Sequence, residues 1–386
     1  MQAAVSPLAR WALDPAVVHL NHGSFGGCPH AVLAAAADVR TRLEASPMRF
    51  FVLEWQAEVD RARVALAAFV NAPAAQLVFV PGSTTGVALA LHSVPLAAGD
   101  EVIVTDHGYR ACRNQLERLA GARGLRIVTV HLPLPFDPDQ ACAAIAGAVT
   151  ERTRLALLDH ITSPTALRLP LEAILPPLAA RGIATIVDGA HAPGQLALDV
   201  AALGATYYVG NCHKWLCAPK VAGFVVVADG APLLPLVTSH GATAAYGPAN
   251  RLHAELDWNG TYDPSAQLAV PAAIETLAHE GGGWRAVLEQ NHALVLAMRD
   301  RIVEELGSSR IAPDTALGSM AAIPIALPAG VAPLAFERAL LEAGWEVPIV
   351  DFATGPFVRV SAHLYNHVGE AEALVRELRA RGVTSR

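Results

Sequence analysis

Between residues 77 and 227 the chain alternates short runs of Val, Ile and Leu with stretches of helical character, a rhythm that few folds accommodate. Residues 77–80, 101–105, 125–130, 155–158, 183–187, 207–209 and 221–227 read as strands. Residues 85–91, 111–121, 140–149 and 171–180 read as helices between them. Strands that are apolar throughout, rather than at every second position, belong to a sheet covered on both faces. Strands alternating with helices make that sheet largely parallel. A chain of 386 residues with 53% hydrophobic content can bury such a core.

The flanking segments follow other rules. Residues 1–20 read as an arm ending in a short extended piece, and residues 21–27 as a loop too rich in Gly for helix. Residues 30–45 and 53–70 are Ala-rich helices, the second broken at Asn71-Ala72-Pro73. From about residue 265 the pattern changes to long helices over 266–305, a strand at 321–327, a helix at 333–343, a strand at 357–361 and a closing helix at 370–381. This predicts an N-terminal arm (1–20) packed on the small domain, a large α/β domain (21–264) and a smaller α+β C-terminal domain (265–386).

Several classes of function are excluded by composition. The net charge is −7 and Lys and Arg are scattered, which disfavours a nucleic-acid surface. No uncharged apolar stretch reaches membrane-spanning length, and the start lacks the pattern of a signal peptide. The five cysteines form no CxxC and no zinc pattern; they read as free thiols in a reducing cytoplasm, with no metal expected. Neither GxGxxG nor GxxxxGK[ST] occurs, so a nucleotide-binding reading has no support.

Chemistry in such a sheet collects at the carboxyl ends of its strands. Three strand ends stand out. The strand at 77–80 runs into Pro81-Gly82-Ser83-Thr84-Thr85-Gly86 and a helix, so hydroxyls and free backbone N–H groups could hold a phosphate; an ordinary N-cap looks the same. The strand at 183–187 ends in Asp188-Gly189-Ala190-His191, an acid facing the cleft, or simply a cap on the next helix. The strand at 207–209 ends in Gly210-Asn211-Cys212-His213-Lys214-Trp215. A lysine there can form a Schiff base with an aldehyde once its amine is neutral. Most lysines are merely solvated, but the apolar neighbours Trp215, Leu216 and Cys217 set Lys214 apart from its rival Lys220, which follows a Pro in a loop.

Phosphate loop, strand-end Asp and strand-end Lys in this order resemble the class V aminotransferase family of pyridoxal-phosphate (PLP) enzymes, fold type I, and within it the isopenicillin N epimerase-like branch. The stretches that carry the resemblance include Asn21-His22-Gly23-Ser24-Phe25-Gly26, Asp159-His160-Ile161-Thr162-Ser163-Pro164-Thr165, Asp188-Gly189-Ala190-His191, His213-Lys214-Trp215-Leu216, Trp258-Asn259-Gly260-Thr261 and Val358-Arg359-Val360-Ser361. The resemblance implies PLP on Lys214, with Asp188 at the pyridine nitrogen and His191 near the ring oxygen. It gives the phosphate to Ser83, Thr84, Asn211 and His213, and places Thr85 and Ser163 at the cofactor. Thr261 would reach the phosphate of a neighbouring subunit, which makes the protein a homodimer with its site at the interface. Asn21, His22, Arg49 and Arg359 fall to the substrate, Arg359 gripping its carboxylate. His107 or Tyr109 would stack on the ring.

The implied activity is at the α-carbon of an amino acid or a derivative, with epimerisation first and C–S lysis, β-elimination or transamination as alternatives. Epimerisation needs a second acid/base, with His22, His107, His160, Tyr109 and water as candidates. Persulfide-forming desulfuration needs a cysteine on the mobile C-terminal loop, and residues 330–360 have none. A non-catalytic protein of this fold would have little reason to keep Lys214, Asp188 and Arg359. Tyr262, after Thr261, and Gly108 depart from the branch's pattern, so the substrate is left open.

Overall fold

The computed structural model describes residues 7–243 and 250–386, so the first six residues of the expected arm and residues 244–249 of the expected large domain lie outside it. Its centre is a seven-stranded sheet in the spatial order Leu77–Val80, Gly223–Val227, Tyr207–Asn211, Ala184–Gly189, Thr153–Asp159, Glu101–Thr105, Arg126–Val130. Gly223–Val227 runs antiparallel to both of its neighbours, and the other four pairings are parallel. Six of the strands are buried almost throughout, and only the edge strand Arg126–Val130 is partly open. The reason lies in alternation across the sheet: Leu77 and Phe79 enter one apolar core, Val78 and Val80 the other. Each face is therefore sealed by helices, which is why the strands read as unbroken apolar runs.

Two differences from the sequence reading have local causes. His22–Phe25 forms one helical turn where a Gly-rich loop was expected. Gly23 permits it, because a Cβ there would stand 2.4 Å from the Met320 Sδ, and Gly26 ends the turn at φ 72°. The helix expected from residue 53 is preceded by helical backbone from Pro47 onward: Pro47–Arg49 leads into a π-type turn, Phe50–Glu54, and then Trp55–Val70. The turn buries Phe50 and leaves Val52 and Leu53 exposed, as is Met48 just before it.

Beyond residue 264 the helices Val270–Gly281, Trp284–Leu306 and Gly369–Ala380 accompany a three-stranded antiparallel sheet, Ile349–Val350, Phe357–Ser361, Met320–Pro324. Val18–His19 pairs in parallel with Trp345–Glu346, and Ser361 N–H donates to the Leu20 carbonyl. Trp11 packs edge-on against His363 and Tyr365. Among the described residues no helix is long and apolar enough to cross a membrane.

Candidate active site

The parallel strands Ala184–Gly189 and Thr153–Asp159 are in register so that Asp188 and Asp159 are Cα partners at their carboxyl ends. Next to them, Tyr207–Asn211 ends in the loop that carries Lys214. These ends, with the N-terminus of the helix Ser83–Ser93, enclose a cavity of about 190 Å³ reached by Ser83, Asn211, His213, Asp188, Asp159 and Lys214. A second cavity of about 240 Å³ adjoins it and shares Tyr109, Asp159 and Asp188.

Lys214 is buried, and burial pushes its amine down to about 8, with Asp188 pulling back and Arg359 adding to the drop. Its Nζ lies 3.3 Å from His191 Nε2. Trp215 Nε1–H donates to His191 Nδ1 at 3.4 Å. The imidazole proton then sits on Nε2 and points at Nζ, an arrangement that suits a neutral amine. Burial, followed by the charges of Lys214 and Arg359, drives the His191 pKa far down, so His191 stays neutral. The rival Lys220 donates to the Gly26 carbonyl at the surface and borders a different cavity.

Asp188 is held at both oxygens: the Ala190 N–H donates to Oδ1 at 3.0 Å and the Cys112 thiol to Oδ2 at 3.2 Å. At the helix start, the Ser83 N–H donates to Asn211 Oδ1 at 2.8 Å while Asn211 Nδ2 donates to Ser83 Oγ at 3.0 Å. That ties the helix N-terminus to the strand end that leads to Lys214. The Thr84 and Thr85 N–H groups of the first turn have no such partner and are available to an anion, with Gly82, Ser83, Thr84 and His213 around them.

Arg359 is buried on the strand Phe357–Ser361. Its guanidinium donates to the Ser163 carbonyl, to Ser24 Oγ at 2.9 Å and to Asn21 Oδ1 at 3.3 Å, and Nε has no partner. All of these acceptors are neutral. Burial lowers its pKa to about 10, yet it stays charged at neutral pH. Such a cation needs an anion from elsewhere.

Not every expected residue meets in this cavity. His107 is fully buried with its ring held by Thr165 Oγ1 at 2.7 Å and the Leu132 carbonyl at 2.9 Å, while Tyr109 borders both cavities. His22 lies behind Lys214. Tyr365 OH and the Gly27 N–H donate to its Nδ1, and its Nε2–H donates to the Lys214 carbonyl at 3.1 Å. His160 Nδ1 meets Tyr208 OH at 2.9 Å, away from the cavity. Arg49 is exposed and paired with Glu54 at 2.9 Å. Thr85 is on the helix but does not line the cavity. Thr261 lines a separate cavity of about 420 Å³ beside Lys220. Ser24, Asp159 and Cys112 belong to the site and were not foreseen. Asp159 follows an apolar strand just as Asp188 does, so the same rule could have found it; nothing in the sequence marks Cys112.

The chemistry of this donor set fits PLP: an anion cup at a helix start, a depressed lysine amine and a carboxylate share one cavity, and a guanidinium with only neutral partners stands behind its Ser24 and Ser163 wall. The family described as Aminotransferase class-V matches residues 27–374. The isopenicillin N epimerase of Amycolatopsis lactamdurans is 36% identical, over 95% of this chain and 96% of that protein. A putative L-cysteine desulfhydrase of Oryza sativa subsp. japonica is 30% identical, over 96% of this chain and 85% of that protein. Among solved structures, the cystine C–S lyase C-DES in complex with cysteine persulfide superimposes with a TM-score of 0.81 at 21% identity. It covers 94% of this chain and 97% of that one, a likeness of fold.

Proposed function

The chain belongs to the aminotransferase class-V family, and from that membership we propose that it is an isopenicillin N epimerase-like enzyme inverting the α-carbon of an amino acid or amino-acid-derived substrate. It is a PLP enzyme. The cofactor, when bound, draws electrons from the substrate α-carbon and makes its C–H acidic. Everything else falls to the chain. Ser83, Thr84, Asn211 and His213 hold the phosphate, and Asp188 keeps the ring nitrogen protonated. Lys214, whose amine gives up its proton around pH 8, takes the α-proton and can return it. Asn21 and Ser24 aim Arg359 at the substrate carboxylate, a bidentate grip that also orients the bonds at the α-carbon.

The observation that carries this reading is Arg359: a buried guanidinium with only neutral partners, in the part of the chain after residue 264, beside a loop that also borders the Lys214 cavity. We assign the cofactor to residues 21–264 and the carboxylate grip to residues 265–386. Inversion needs an acid on a second face, and of His22, His107, His160 and Tyr109 only Tyr109 borders the cavity, so Tyr109 takes that role. C–S lysis is the second reading. It is favoured by the desulfhydrase relative and needs Lys214 alone as base.

Thr261 lies away from the Lys214 cavity of its own chain, and Phe25, Met48, Val52 and Leu53 expose apolar surface. Both features support a homodimer in which Thr261 serves the partner's phosphate. Five free thiols suit a reducing cytoplasm.

The test is Arg359→Lys with paired substrates, each an amino acid and its decarboxylated amine. The parent should prefer the acid, and the variant should lose that preference through a KM raised roughly 10-fold or more. Chiral chromatography of the product identifies inversion, and sulfide release identifies lysis. Equal preference in parent and variant would end the reading.

A further inference from the structure

The two strand-end carboxyls are not equivalent. Asp188 has a donor fixed on each oxygen and lies within reach of the Lys214 charge. Asp159, equally buried, receives the Tyr109 main-chain N–H, and no cation offsets its charge among the described residues. Gly108 leaves its carboxyl open: a Cβ there would stand 3.4 Å from Asp159 Oδ2, and Asp159 borders both cavities.

Two adjacent carboxylates in a poorly solvated site cannot both ionise cheaply, so one keeps its proton. Burial first, and then the Asp188 charge, push the Asp159 pKa well up. The Cys112 thiol is also pushed up by burial and by Asp188, so it remains a proton donor rather than a competing thiolate. The groups facing Asp159 are Asp188 on the neighbouring strand, Cys112 on the helix Arg110–Arg123, Tyr109 at that helix's start and Lys214 across the cavity.

We propose that Asp159 stays protonated in the working enzyme, a neutral carboxylic acid that leaves the pair's single negative charge on Asp188. Asp159 is thus a positioning residue. It acts on the cofactor's ring nitrogen through Asp188, and this rests on the role given to Asp188 above. A carboxyl whose folded pKa is raised holds a proton that the unfolded chain gives up. Its cost to stability is absent in acid and grows as pH rises from the ordinary carboxyl range, about 4, towards the raised value. Asn has no such titration.

The experiment is infrared spectroscopy and thermal melting of the holoenzyme and of its cofactor-stripped form, over a pH series, for the parent, Asp159→Asn and Asp188→Asn. The parent at neutral pH should show the carbonyl band of a neutral carboxylic acid, and Asp159→Asn should lack it. In Asp188→Asn the band should titrate at lower pH than in the parent, because the neighbouring charge is gone. Asp159→Asn should melt above the parent at neutral pH by a margin that closes in acid. Asp159→Ser replaces it if the Asn variant does not fold. No neutral-acid band in the parent, or a band that Asp159→Asn keeps and Asp188→Asn loses, overturns the proposal. A wrong role for Asp188 shows itself differently, as full turnover in Asp188→Asn with the Asp159 band intact.

Discussion

A lysine amine depressed to about 8 makes an unusual reagent, because half of it is already free where an ordinary lysine is fully charged. Uptake of PLP by cofactor-stripped protein should therefore rise with pH and level off above about 8. Uptake still climbing at about 10, the ordinary lysine range, would contradict the assignment. Tyr109 is tested separately. Tyr109→Phe should keep exchange of the substrate α-hydrogen with solvent, through Lys214, while inversion falls by about 10²-fold or more, the loss expected for one proton donor. If exchange and inversion fall together, Tyr109 is not the second acid. At this scale the sequence was informative wherever a residue ended an apolar strand, as with Asp188 and Lys214. It could not choose between His107 and Tyr109, because both follow the same strand within a few residues. Nor could it show what surrounds His107: Thr165, the Leu132 carbonyl and Phe352 come from distant parts of the chain and hold its ring.

Among the elements, the helix Ser83–Ser93 matters most, because its first turn is where we place the phosphate and its body packs on the sheet. Gly86 sets that packing: a Cβ there would stand 2.5 Å from Val209 Cγ1 and 2.9 Å from Val225 Cγ2. Gly86→Ala should therefore lift the helix from the sheet, cost about 1–3 kcal/mol of stability and weaken PLP binding. Denaturant titration and cofactor dissociation measure the two effects, and an unchanged parent-like cofactor affinity would show that the helix is not the anchor. Elements of this kind were legible because their strands are short, apolar and spaced by helices. The pairs Val18–His19 with Trp345–Glu346 and Ile349–Val350 with Val358 and Phe357 were not. Two residues are too few to show a period of two, and their pairing is decided by distant partners. The single turn His22–Phe25 escaped for the same reason: the space that makes it possible is shaped by Met320, nearly three hundred residues on.

For the molecule as a whole, the separation of Thr261 from the Lys214 cavity predicts an obligate pair. Light scattering should give twice the chain mass at working concentrations, and dilution to monomer should abolish turnover before it unfolds the chain. A stable, active monomer would remove Thr261 from the site.

Asn21 and Ser24 grip Arg359 across more than three hundred residues of chain. A ribosome delivers the first two at the beginning of synthesis and the third near its end. The Asn21–Phe25 segment must therefore emerge long before the strand that will hold it, and its partner sheet is the last to be made. The central sheet can assemble during translation; the contacts of Asn21 and Ser24 with Arg359 cannot. Nascent chains halted before residue 357 should capture the cofactor yet fail to distinguish an amino acid from its amine.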